Sequence, residues 1–175
     1  MLEKGCYVIY RAEGVCLITD VRQESFGAVG DKKEYYILSP VREPKSTLFV
    51  PVDNEILVGY MRELMNAKQI TKMAEELRQT RIEWITDSRA RNNAWKEILS
   101  RGDRRELAVL VNTVSEKIET SGKKPCSTVV GALRRAEQLL YDEFSATTDI
   151  QSVDDVIPLL NGTLTVRDRA IDAAV

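Results

Sequence analysis

The sequence predicts an α+β protein, in which a small all-β module precedes an all-α helical bundle. Three observations predict it. Before residue 60 the apolar residues fall in short runs rich in Val, Ile, Tyr and Phe, separated by Gly and Pro, as strands and turns require. Beyond Asn54 the apolar residues recur at three- and four-residue spacing, the period of a helix. The 175 residues are 43% hydrophobic and 30% charged, which supplies both a buried core and a soluble surface.

The segment CYVIY, ending at Tyr10, is the first strand, RAEG a turn, and VCLITDV the second strand. Gly27, Gly30 and Asp31 make the next turn, and KEYYILSPV is the third strand. Pro40 and Pro44 punctuate the connection to TLFVPV, whose Pro51 places this fourth strand at a sheet edge or ends it. Strands this short, at this spacing, build a small, strongly bent sheet or barrel. In MRELMNAKQITKMAEELRQ, Met61, Leu64, Met65, Lys68, Ile70, Met73 and Leu77 take helical spacing. A second helix runs from about 85 to 100 and ends at Gly102. Asp103, with Glu106 three residues on, forms a capping-box pattern for a third helix striped by Leu107, Leu110, Val111, Val114 and Ile118. SGKKP breaks it. The fourth helix, 127–145, carries Val129, Leu133, Ala136, Leu140 and Phe144 on one face, and SVDDVIPLL makes a short helix capped by Ser152. No stripe is sealed alone, so the helices must pack on one another. The organisation expected is a β module over 1–58, a helical module over 59–145 and an acidic tail over 146–175.

Composition removes several chemistries. Histidine is absent, which excludes Ser–His and Cys–His nucleophilic pairs and the commonest general base. Cys6, Cys16 and Cys126 are an odd number without a close pair, and read as small buried hydrophobes in a reducing compartment. No apolar run approaches the roughly 18 residues of a membrane span. Charges interrupt the N-terminus before any stretch resembling a signal peptide, so the expected location is cytoplasmic. GAVGDKK (27–33) lacks the Ser/Thr and following helix of a phosphate loop and reads as a hairpin turn. The neighbouring acids Asp154 and Asp155, like Asp142 and Glu143, are adjacent rather than on one helical face, and read as solvated helix surface. No catalytic constellation emerges. The expectation is a protein that is not an enzyme, with no cofactor, no metal and no small-molecule substrate.

Charge is unevenly spread. Residues 1–60 hold seven basic and nine acidic side chains, 61–145 sixteen and thirteen, and 146–175 two and five. Within 78–105, eight basic residues face four acidic ones, and both tryptophans, Trp84 and Trp95, lie in this stretch. A continuous helix here would align Trp84, Ser88, Arg91 and Trp95 on one face, with Arg89 and Lys96 elsewhere. Two readings fit. The indoles can be packing residues, which bury much area, or one can be an apolar wedge at the minor groove, flanked by arginines on phosphates.

The N-terminal stretch resembles the CarD-like family of bacterial transcription regulators, which is related to the polymerase-interacting module of transcription-repair coupling factor. The matching residues are Gly5, CYVIY ending at Tyr10, Gly14, Glu34 and Tyr35 of KEYYIL, and FVPVDN ending at Asn54. ILSRGDRRELAVLV resembles the family's helix, turn and helix, and ALRRAEQLLYDEF its last helix, so the likeness covers roughly 1–145. The resemblance implies a Tudor-like or SH3-like β module bound to the RNA polymerase β subunit and a helical module on promoter DNA, altering the lifetime of the open complex. The DNA contacts implied, in the minor groove and on the backbone, fall on Trp84, Ser88, Arg89, Arg91, Lys96, Arg101, Arg104 and Arg105. The family's wedge tryptophan falls near Ser88, one helical turn from Trp84. The polymerase contacts implied fall on Glu24, Tyr36, Phe49, Val50 and Pro51, where Glu24 and Phe49 replace basic residues of some relatives. Such a protein is nucleoid-associated and touches no membrane. An adaptor that uses its β module and never contacts DNA is the alternative.

Overall fold

The computed structural model describes residues 2–26 and 32–169. The chain divides into two compact units, Met1–Leu64 and Met65–Val175. The turn expected at Gly27, Gly30 and Asp31 lies outside the described residues.

The first unit is an antiparallel sheet of β1 (Tyr7–Tyr10), β2 (Gly14–Glu24), β3 (Lys33–Pro40), β4 (Leu48–Pro51) and β5 (Met61–Arg62), hydrogen-bonded in the order β4-β3-β2-β1-β5. The RAEG connection is a single 3-10 turn, Arg11–Glu13. β2 runs on through Arg22, Gln23 and Glu24, and a register shift between Ile18 and Asp20 bends it. Alternate residues then point to opposite faces. Val8, Cys16, Ile18, Tyr36, Leu38 and Val50 form the core of this unit on the inner face. Burial pushes the Cys16 thiol up to about 12, which makes it the inert core residue expected. Cys6 and Cys126 depart from that expectation, because both are exposed.

Asn54 caps a one-turn helix, α1 (Glu55–Val58), by accepting the Leu57 N–H at 3.1 Å. The chain then departs from the helical period expected at Met61. Met61 and Arg62 pair instead with Tyr10 and Ile9 as the fifth strand. The physical reason is local: β1 has a side still open for pairing, and the helix-start signal stands only further downstream, at Asn66. Asn66 and Gln69 form a reciprocal capping box, so α2 (Ala67–Leu77) starts only at Ala67.

The second unit contains α2, α3 (Ser88–Arg101), α4 (Arg104–Ser121), α5 (Ser127–Ser145) and α6 (Val156–Leu160). The expected stripes meet in one core: Leu107, Leu110, Val111 and Val114 from α4, and Val129, Ala136, Leu140 and Phe144 from α5, are buried together. Ile118 and Leu133 are only partly buried at its margin. Between α3 and α4, Gly102 takes φ 64, the left-handed conformation that closes a helix most easily without a Cβ. Asp103 then accepts the N–H groups of Arg105 and Glu106, as a cap should. The Glu106 carboxylate itself engages Arg101, at 2.9 Å.

The segment after Ser145 joins this core. Ser152 and Asp155 form a capping box on the turn Val153–Asp155, and Ile150, Val156, Leu159 and Leu160 are buried among the helices. A bridge pairs Thr148 with Asp168. Asp168 accepts the Ala67 N–H at 2.6 Å, and Thr147 donates its hydroxyl to the Met65 carbonyl at 2.6 Å.

Candidate nucleic-acid and protein interfaces

Asp87 decides where the tryptophans go. Its side chain accepts the Ala90 N–H at 2.7 Å and caps α3, so the helix begins at Ser88. Trp84 therefore stands in the extended approach to α3, and the single helical face expected for Trp84, Ser88, Arg91 and Trp95 does not form. The indoles meet by another route. Their rings lie edge to face with centroids 5.6 Å apart. Trp95 is 3% exposed and belongs to the core, while Trp84 is half-buried against it.

Arg91 lies over both rings, 4.9 Å from the Trp84 centroid and 5.5 Å from that of Trp95. It also donates to the carbonyls of Ile85 and Thr86, at 2.8 and 3.2 Å. Lys117, from α4, approaches the Trp84 ring at 5.5 Å. The approach segment is held on α4 as well: Ile82 donates its N–H to Thr113 at 3.0 Å, and Arg81 pairs with Glu116 at 2.6 Å.

The other basic candidates divide by their partners. Arg89 and Lys96 are exposed, and their side chains make no ion pair or hydrogen bond among the described residues; Ser88 is exposed at the first position of α3. Arg101 binds Glu106 through two nitrogens and approaches Glu97 at 3.9 Å, contacts that raise its already high pKa, the hydrogen bond to Glu106 most of all. Arg105 ties α4 to Glu76 of α2 at 3.0 Å. Arg104 pairs with Glu143 at 2.9 Å, and their side chains are only 11% and 3% exposed. Glu143 thus leaves the solvated surface expected for it. Asp154 pairs with Arg134 at 2.7 Å.

On the β unit, Phe49 is 37% exposed on β4, the strand at one end of the sheet. Phe26, 64% exposed, and Tyr35 complete an aromatic trio with it, at centroid distances of 4.9 to 6.3 Å. In the sequence Tyr35 stands out only as part of the family match and Phe26 not at all, because it takes both the β2–β3 and the β3–β4 pairing to bring the three rings together. Tyr36 and Val50 pair across the same strands but point inward and are buried; β3 lies between β2 and β4, so only β4, the strand of Val50, has an open main-chain edge for a partner. Pro51 is half-buried, and Glu24 pairs with Arg22 at 2.7 Å.

Residues 2–65 match the family model described as CarD-like/TRCF RID domain. They are a CarD-like domain. The bounds of the match coincide closely with the sheet unit, ending one residue beyond it. A comparison with curated proteins finds no match. A CarD-like domain is a non-catalytic RNA polymerase-interacting module, and it marks this chain as a transcription-related, polymerase-binding protein. The helical unit lies beyond the CarD-like match, and no helix among the described residues is long and apolar enough to cross a membrane.

Proposed function

We propose that the protein is a non-enzymatic transcription regulator that joins the RNA polymerase β subunit to promoter DNA and changes the lifetime of the open complex. The CarD-like domain carries this reading. In it, the Tudor-like β unit docks on polymerase through the edge of β4, where main-chain groups can extend a partner's sheet. Phe49, Phe26 and Tyr35 supply an apolar anchor beside that edge, of the aromatic kind that dominates interface energies. The helical unit meets DNA with Arg89 and Lys96, the two candidate cations with no internal partner among the described residues. Trp84, half-buried beside Trp95, is the indole offered to the minor groove.

The test is a pull-down of purified polymerase β subunit with the intact chain, with and without promoter DNA. Phe49→Ala should reduce retention of the β subunit. Joint Arg89→Ala and Lys96→Ala should reduce DNA affinity and lower the slope of log K against log salt by about two units. Unchanged retention and unchanged DNA binding would reject both assignments.

A second reading is favoured by a specific observation. Arg101, Arg104 and Arg105 all have internal carboxylate partners, which leaves less basic surface than the composition suggests. On this reading the chain is a protein-interaction adaptor, and no DNA footprint appears at any salt concentration.

A further inference from the structure

We propose that Arg91 is a positioning residue that clasps Trp84 in place, and that Lys117 supplies the phosphate contact beside that ring. This rests on the DNA-binding reading above for Lys117, but not for the clasp itself. The sequence groups Arg91 with the free cations of its stretch. Its surroundings separate it from them. The guanidinium lies over Trp84 and Trp95 at 4.9 and 5.5 Å, and its two hydrogen bonds go to the carbonyls of Ile85 and Thr86. Its Nε–H is buried without an acceptor, covered by the surroundings that hold the plane. A planar, forked cation can satisfy rings and carbonyls together, and a point-charge ammonium cannot. The carbonyls it holds belong to the two residues between Trp84 and the Asp87 cap, so Arg91 fixes the backbone that aims the indole. A cation spent this way is poorly placed to neutralise a phosphate.

Lys117 is the opposite case. It is exposed, it makes no ion pair among the described residues, and its ammonium stands 5.5 Å from the Trp84 ring. Its neighbour Glu116 is occupied by Arg81. A backbone passing Trp84 would meet Lys117 as the available charge on that side.

Four full-length chains decide the matter: wild type, Arg91→Lys, Arg91→Met and Lys117→Ala. Arg91→Met keeps an apolar stem over the rings and guards against simple unfolding. Two readouts are taken, acrylamide quenching of tryptophan emission without DNA, and anisotropy titration of a fluorescein-labelled promoter duplex with a pre-melted bubble across a salt series. The expected result is greater quenching in both Arg91 variants and wild-type quenching in Lys117→Ala. Arg91→Lys should bind DNA more weakly despite its retained charge, with an unchanged salt slope, whereas Lys117→Ala should lose about one unit of slope. Wild-type affinity in Arg91→Lys together with a lost unit of slope in Arg91→Met would make Arg91 a phosphate contact and overturn the clasp. Unchanged quenching in both Arg91 variants overturns it too. An unchanged slope in Lys117→Ala overturns the Lys117 assignment. Absence of DNA binding by the wild type overturns that assignment and the DNA reading together, while quenching alone then decides the clasp.

Discussion

Arg104 and Glu143 form an enclosed ion pair that joins the start of α4 to the end of α5. Two desolvated charges support each other: removing one takes a close opposite charge from the other, and breaking a buried pair in this way typically costs about 3–5 kcal/mol. Arg104→Ala should therefore lower helical-unit stability by roughly 3 kcal/mol in denaturant titration, and leave the salt slope of DNA binding unchanged. Arg105→Ala, which loses an exposed pair with Glu76, should cost less than about 1 kcal/mol. The sequence made both arginines visible as charge near the tryptophans, but a count of charges cannot show which carboxylate each one meets across the bundle. Glu137 gives the corresponding pH prediction. Burial, the main cause, raises its pKa, and Arg134 offsets this only in part. The folded state then holds the proton more tightly than the unfolded state, so stability falls as pH rises from about 4.3, the ordinary glutamate value, through the raised one. Glu137→Gln removes the titrating charge. Its melting temperature should lie above that of wild type at pH 7, with the advantage vanishing below about pH 4; an advantage that grew on acidification would contradict the burial argument.

At the scale of elements, caps decide what was readable. Asp103 and Ser152 stand at helix starts with local partners three residues on, so sequence spacing announces them. Asp87 also caps, but the apolar spacing of Trp84 and Ile85 runs on before it and suggests an earlier start. Met61 was misleading for a related reason: a two-residue strand has no period of its own, and only the edge of β1 gives it one. The segment after residue 145 shows the limit most clearly. Asp168 caps α2 from 101 positions away in sequence, a contact that no local pattern encodes. Its carboxylate serves the first amide of α2, one of the donors a helix start leaves unsatisfied. Asp168→Ala should destabilise the helical unit by about 1 kcal/mol, as lost helix caps do. Leu160→Ala, which empties a fully buried site on α6, should cost about 3 kcal/mol. Equal and negligible effects in chemical denaturation would mean that this segment is not a structural part of the unit.

At the scale of the molecule, the described residues form two hydrophobic cores that share no residue. Apolar burial is the main favourable term in folding, so each core should set the stability of its own unit. The change of hydrophobic period near residue 60 made this division legible. The strand pairing of Met61 and Arg62 was not legible, and with it the unit extends to Leu64. Substitutions in the intact chain can separate the two contributions. Leu38 is fully buried in the sheet core, and Leu140 is fully buried in the helical core. Leu38→Ala and Leu140→Ala should each cost about 2–5 kcal/mol, but in different transitions. In differential scanning calorimetry of the full chain, Leu38→Ala should lower one transition and Leu140→Ala the other, with each leaving its counterpart in place. If both substitutions shift a single common transition, the two cores fold as one cooperative unit. Function should divide along the same line: conditions that melt only the β unit should abolish retention of the polymerase β subunit before the helical unit loses its circular dichroism signal.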